Sequence, residues 1–192
     1  MDVPQDDFGA LLAAVRGGDE AAAAQLFSMH QPRLLRYLRA LEPRVADDLA
    51  AEVWLGVVQS FPRFEGGAID FRAWLFAIAR RRVADHRRRG ARRRTEPDDP
   101  TLVMAAIDAS STTTDVGDVV ASDLAAQAAV DEIMRQLTED QAEVLLLRVL
   151  GDLSVTDVAV LMGRPASWVR VTQHRAVSRL GRRVGTTLAV TE

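Results

Sequence analysis

Residues 71–94 read FRAWLFAIARRRVADHRRRGARRR, and two patterns overlap in them. Phe71, Trp74, Leu75 and Ile78 recur at i, i+3, i+4 and i+7, the spacing of one buried helix face. From Arg80 onward arginine takes over. Residues 72–94 hold ten Arg against one acid, Asp85. The pattern predicts a single helix, anchored in a core at its start and densely positive toward its end. Such an end suits a polyanion, because each phosphate it neutralises releases condensed counterions. The plainer alternative is a solvated basic helix end.

Outward from this helix the charge is strongly segregated. Residues 1–71 carry 11 acids and 6 Arg, and residues 72–94 sum to +9. Residues 95–140 carry 11 acids and 1 Arg, a balance of −10. Residues 141–192 carry 4 acids and 7 Arg. The net charge of −3 averages this away. Segregation of this kind speaks about partners rather than fold. Every base is Arg; the chain has no lysine.

The 192 residues suffice for one or two small domains. With no cysteine there is no disulfide framework and no thiolate metal site. His30, His86 and His174 are far apart and lack a zinc-ligand spacing. The acidic start MDVPQDDFGA has no secretory pattern. No run approaches the ~18 apolar residues of a membrane span. The expectation is a soluble, cytoplasmic protein with no metal, cofactor or membrane partner.

The first third reads as helices. Phe8, Leu11, Leu12 and Val15 share a face that ends at Gly17-Gly18, and Asp19 caps the next helix. Pro32 predicts a break or a new start before Leu34, Leu35, Tyr37, Leu38 and Leu41. Pro43 breaks the chain again. A helix follows from Asp47 to Phe61, with Leu49, Val53, Trp54, Val57 and Val58 inward. Residues 61–67, FPRFEGG, form a loop. Residues 95–122, rich in Asp, Ser, Thr and Pro, read as a flexible acidic linker. The expected architecture is therefore all-α: a helical domain over residues 1–94, the linker, and a second helical domain over residues 123–192.

In the second domain, Leu124, Ile133 and Leu137 mark one helix. Thr138 to Gln141 is a capping box opening the next, and Ser154 caps a short third helix. A tight turn at Met162-Gly163-Arg164 and a first-turn Pro165 lead into a longer helix with Trp168, Val169, Ala176 and Leu180 on one face. This is the helix-turn-helix layout. The longer helix is expected to expose Arg170, Thr172, Gln173, His174, Arg175 and Arg179. Arg and Gln can read base edges in the major groove.

Taken in order, six strings carry a resemblance. They are RGGDEA at residues 16–21, PRLLRY at 32–37, DDLAAE at 47–52, FPRF at 61–64, FRAWLFAIAR at 71–80 and LSVTDVA at 153–159. In this order and spacing the chain resembles a bacterial extracytoplasmic-function sigma factor, a small RNA polymerase specificity subunit. The resemblance implies that residues 1–94 bind core polymerase, read the minus-ten element and help melt it. It implies that residues 123–192 read the minus-thirty-five element.

The resemblance also implies roles by position. Asp47, Asp48 and Glu52 lie on the helix that docks on the polymerase clamp helices. Asp48 and Glu52, at i and i+4, share one exposed face. Ala51 stands where the family often has Gln. The 61–67 loop resembles one that captures a flipped base, with Phe64 offering an aromatic face worth ~1–3 kcal/mol of stacking. Arg80, Arg81 and Arg82 would hold the separated strand or upstream phosphates, with Arg81 where Asn is common. Arg170, Val171, His174 and Arg175 occupy positions of minus-thirty-five contacts. Val171 stands where Ser is frequent and Thr172 where Arg is frequent. The implied partners are core polymerase and promoter DNA, and the resemblance allows an anti-sigma factor.

A stand-alone helix-turn-helix regulator would explain residues 123–184 but not the basic helix, the Phe64 loop or the Asp48/Glu52 face. An enzyme would need a nucleophile, phosphate loop or metal spacing beside Asp47 and Asp48, and none accompanies them.

Overall fold

The computed structural model describes residues 5–95 and 135–189, and among these every α-helix belongs to one of two bundles. The first holds α1 (Gln5–Arg16), α2 (Glu20–Leu41), α3 (Ala46–Ser60) and α4 (Ala68–Thr95), with a 3-10 turn at Phe61–Arg63. The second holds α5 (Glu139–Val149), α6 (Val155–Met162) and α7 (Ala166–Ala189). The acidic linker and the helix expected around Leu124 and Ile133 lie outside the described residues.

The N-terminal bundle is built on the apolar stripes of its helices. Phe8, Leu12, Leu34, Tyr37, Leu38, Leu49, Val53, Phe71, Leu75 and Phe76 are fully buried. Each such side chain contributes about 1.5–3 kcal/mol of transfer free energy. The Tyr37 and Phe76 rings meet edge to face at 5.2 Å. Asp19 caps α2 as expected, accepting from the backbone N–H of Ala21 at 2.8 Å and of Ala22 at 3.1 Å.

Pro32 does not break the chain: α2 runs through it. Pro32 and Ser28 both face solvent, so the Ser28 carbonyl that loses its donor can turn to water. Leu26, His30, Leu34, Tyr37 and Leu38 on the other side bury a continuous stripe that holds the helix together. A second correction falls on α3. Leu49, Val53 and Val57 are buried, but Val58, expected inward, is 70% exposed, because its direction falls off the buried stripe.

The C-terminal bundle closes over Val144, Leu147, Leu153, Val158, Val169 and Ala176. Both expected caps form as full capping boxes: Thr138 with Gln141, and Ser154 with Asp157. Gly163 ends α6 in the left-handed conformation, φ 61°, which a side chain would oppose. Pro165 sits immediately before α7. The two bundles touch where α4 packs on α6.

Candidate nucleic-acid interface

A helix turns 100° per residue, which divides the arginines of α4 into three stripes. Arg72, Arg80 and Arg87 fall within about 80° of one another. Arg81, Arg88 and Arg92 lie roughly opposite them. Arg82 and Arg89 project between, on the α3 side, where Arg89 stands 3.6 Å from Glu52. Arg82, Asp85, Arg88, Arg89 and Arg92 line a shallow basic cleft of about 280 Å³. Three consecutive residues expected to act together, Arg80, Arg81 and Arg82, are thus placed on three different sides of the helix.

Arg80 does not stand free. Its Nε donates to Glu143 at 2.9 Å and its Nη1 to the Leu161 carbonyl at 3.0 Å, so both contacts are to the C-terminal bundle. Arg72 pairs with Asp152 at 2.8 Å. Arg87 pairs with Glu42 at 2.5 Å and also with Glu139. Arg81, in contrast, is exposed.

The loop before α4 is held by its own geometry. Gly66 has φ 145° and lies so close to Asp70 that a Cβ would sit 2.6 Å from the Asp70 Cβ. Asp70 accepts from the Gly67 N–H at 2.9 Å, fixing the start of α4. Arg16 donates to the Phe64 carbonyl at 2.7 Å and lies over the Phe61 ring. The Phe64 ring, expected to face outward, is only 6% exposed. It stacks on Trp74 at 4.7 Å and meets Phe71 edge to face at 5.6 Å. An aromatic three residues after Phe61 finds more apolar surface inside the bundle than outside it. The residues this loop shows to solvent are Pro62, Arg63, Glu65 and Gly66.

On α3, Asp47 and Asp48 are exposed and Glu52 is half-buried. Asp47 lies 3.6 Å from Arg39 of α2, a loose exposed pair that contributes little. Asp48 and Glu52 do share a face, and Leu55 joins them one turn on, 60% exposed. The sequence reading passed over Leu55. The i, i+4, i+7 spacing of an apolar residue with two carboxylates was the available signal.

On α7, Val169, Thr172 and Ala176 form the buried face. Thr172 is therefore inside, contrary to the expected exposed set; its spacing of i+3 from Val169 dictates this. Gln173 is half-buried and accepts from the Arg148 Nε at 3.3 Å. Arg170, Val171, His174 and Arg175 all face solvent together on the opposite side. Trp168 is half-buried, with the Arg164 guanidinium 5.4 Å from its ring centre.

Two further groups escaped the sequence reading. His30 is buried against Phe8 and Phe71, with no hydrogen-bond partner for its Nε2. Burial, then the nearby Arg72 and Arg33, push its pKa down to about 4. Tyr37 is fully buried with its hydroxyl 3.5 Å from Glu143, and burial drives its pKa far up. Among the described residues no His/Cys/Asp/Glu group could hold a metal ion, and no helix is long and apolar enough to cross a membrane.

Two small helical bundles, one ending in a long arginine-rich helix and the other presenting a polar recognition helix, define a two-headed nucleic-acid-binding protein. Residues 26–93 match Sigma-70 region 2, and residues 127–180 match Sigma-70, region 4. The ECF RNA polymerase sigma factor SigD of Mycobacterium tuberculosis is 31% identical, over 94% of this chain and 85% of its own. ShbA, an ECF sigma factor of Streptomyces griseus, is 32% identical, over 90% of this chain and 92% of its own. In fold, the chain is similar to CnrH in complex with the cytosolic domain of CnrY. The TM-score is 0.61 at 20% identity, covering 92% of this chain and 96% of that one. It is equally similar to the sigma factor RpoE bound to the anti-sigma factor NepR from Bartonella quintana. There the TM-score is again 0.61, at 22% identity, covering 84% and 96%. The chain belongs to the extracytoplasmic-function group of the sigma-70 family. It is an RNA polymerase sigma factor, which binds polymerase and promoter DNA and acts in transcription initiation.

Proposed function

We propose that the work of initiation is divided among three faces of this chain. The Asp48, Glu52 and Leu55 face of α3, flanked by Asp47, docks on the polymerase clamp helices. The carboxylates supply charge complementarity and Leu55 supplies apolar contact one turn beyond them. The loop at residues 61–67 and the arginines of α4 hold the separated strand of the minus-ten element, with Arg80, Arg81 and Arg82 reaching different phosphates. Phe64 acts here by shaping the loop from beneath, through its stack on Trp74. Arg170, Val171, His174 and Arg175 enter the major groove at the minus-thirty-five element. Arg can hold guanine or phosphate there, and Val171 can touch a thymine methyl.

The observation that carries this reading is the pairing of two faces on one chain. A cationic helix starts in an aromatic core, and a recognition helix shows Arg170, Val171, His174 and Arg175 to solvent as one set. Polymerase performs the phosphoryl transfer, and this subunit supplies recognition and strand opening without catalysis of its own. The site of action is accordingly the cytoplasm. An anti-sigma factor is a fitting partner, since the fold relative RpoE was solved in complex with the anti-sigma factor NepR.

The test is transcription in vitro with purified core polymerase, followed by mapping of start sites. Defined start sites that require the added chain support the reading. A chain that binds duplex DNA but never associates with core polymerase would return the stand-alone regulator to first place.

A further inference from the structure

The ends of α1 and α3, the first turns of α2 and the 3-10 turn enclose a hollow of about 770 Å³. Sites for small organic molecules measure roughly 300–1,000 Å³. The walls are apolar: Ala24 and Phe27 from α2, Trp54 and Val58 from α3, and Phe61 and Pro62 from the 3-10 turn. The hollow exists because α2 opens with a run of small residues, Ala21 to Ala24. A larger side chain at residue 24 would fill it. Phe27 is 43% exposed and Val58 70%. Apolar surface of this kind gains free energy only when something covers it.

Two polar groups bound the hollow. Trp54 donates its indole N–H to Gln31 at 2.7 Å, one turn along α2 from Phe27. Its polar atom is thereby satisfied, and its ring stands 4.9 Å from the Phe27 ring as an apolar wall. Arg16 is the charged residue of the lining. Its Nη2 donates to the Phe64 carbonyl at 2.7 Å, and its guanidinium carbon lies 5.8 Å from the Phe61 ring centre. A guanidinium carries further N–H donors in a rigid fork, so this braced cation can also take an anionic group.

Charge decides between occupants. A nucleic acid calls for several cations, and no α4 residue lines the hollow. The docking face on α3 is acidic, at Asp48 and Glu52, so it selects a partner of the opposite charge from one that suits Arg16. An apolar body with a single acidic headgroup fits both the walls and the cation.

We propose that this hollow binds a small amphipathic organic anion, a medium-chain or aromatic carboxylate in chemical class. Its body lies against Phe27 and Trp54 and its headgroup on Arg16. Arg16 also holds the Phe64 carbonyl, and Phe61 and Pro62 belong to the loop at residues 61–67. A bound headgroup draws Arg16 from that carbonyl, the loop loosens, and strand opening falls. This last step rests on the reading of the loop as strand-holding.

The first probe is anilinonaphthalene sulfonate, an aromatic anion that fluoresces when it leaves water. The full chain should bind it saturably, one per chain by calorimetry. Decanoate should displace it, and decyltrimethylammonium, with the same tail and the opposite charge, should not. Ala24→Leu puts a good helix former at an exposed position and fills the hollow, so probe affinity should fall at least about tenfold. Arg16→Met should weaken the probe about tenfold by removing a charge-assisted bond, and Arg16→Lys should weaken it less. Circular dichroism confirms that each variant is folded. In holoenzyme, saturating decanoate should reduce the permanganate-reactive bubble formed with the unaltered chain and leave that of Ala24→Leu unchanged.

Probe binding that survives Ala24→Leu, or equal displacement by the anionic and the cationic tail, overturns the site with no DNA or polymerase present. Weaker association of Ala24→Leu with core polymerase would assign the hollow to a protein interface and sink the proposal. Probe binding as expected with an unchanged bubble overturns the coupling to the loop. Arg63→Ala without decanoate separately tests whether the loop serves opening: a normal bubble there counts against that reading and not against the site.

Discussion

The Phe64 ring lies between Trp74 and Phe71, so its removal opens a cavity in the N-terminal bundle. Phe64→Ala is expected to cost about 3–5 kcal/mol, read as a lower midpoint of chemical denaturation. Phe64→Leu keeps most of the volume and should cost less. If the ring only shapes the loop, the Leu variant should open duplex promoters nearly normally, as read by permanganate footprinting. A stable Leu variant that cannot open the bubble would show that the aromatic face itself meets a base. His30 gives a second residue-level expectation. Its pKa is lowered from 6.5 to about 4 in the folded chain, so the unfolded chain binds the extra proton first. Stability from this group is complete above pH 6.5 and is lost as pH falls toward 4, by about 3 kcal/mol in all. Denaturation of the wild type and His30→Leu at pH 7 and pH 4.5 measures it. The variant should show a shallower acid loss, and equal losses in the two proteins would remove His30 from the account.

At the scale of the helix, the face of α3 makes the next expectation. Reversing charge at Asp48 and Glu52 should weaken association with core polymerase and leave circular dichroism unchanged. Leu55→Asp should weaken it about as much, because a solvent-exposed apolar residue one turn beyond two carboxylates gains only when a partner covers it. Unchanged affinity in all three variants would move the docking surface elsewhere. Helices are also where the sequence was most and least legible. Starts and stops could be read because they are local: Asp19, Thr138, Ser154 and Gly163 each bond within a few residues of themselves. The inward stripe of α4 could be read for the same reason, from its period. Pro32 misled because the force that keeps α2 whole is tertiary, the burial of Leu26 through Leu38 against other helices. Thr172 was legible in principle, since its spacing from Val169 puts it inside; its polarity argued the other way. The division of the α4 arginines was legible as geometry but not as chemistry. The partners of Arg72, Arg80 and Arg87 in the second bundle lie 52 to 81 residues away.

For the whole molecule, charge segregation leaves the two faces proposed to contact DNA in different states in the free chain. The arginines of one α4 stripe are neutralised internally, while the α7 face is open. Arg175 lies on that open face, so Arg175→Ala should weaken binding to a duplex minus-thirty-five fragment whether or not polymerase is present. If Arg175 makes a bidentate contact to a base, the loss should be ~1–3 kcal/mol and confined to sequences carrying that base. If it holds a phosphate, the loss should be similar on every sequence, and the slope of log affinity against log salt should fall by about one. Fluorescence anisotropy with cognate and scrambled duplexes at several salt concentrations separates these outcomes. The decisive comparison is between free chain and holoenzyme. Equal losses follow if the face is open in both. A loss seen only in holoenzyme would mean that α7 is covered in the free chain, and the arrangement of the two bundles described above would not be the one the protein adopts in solution.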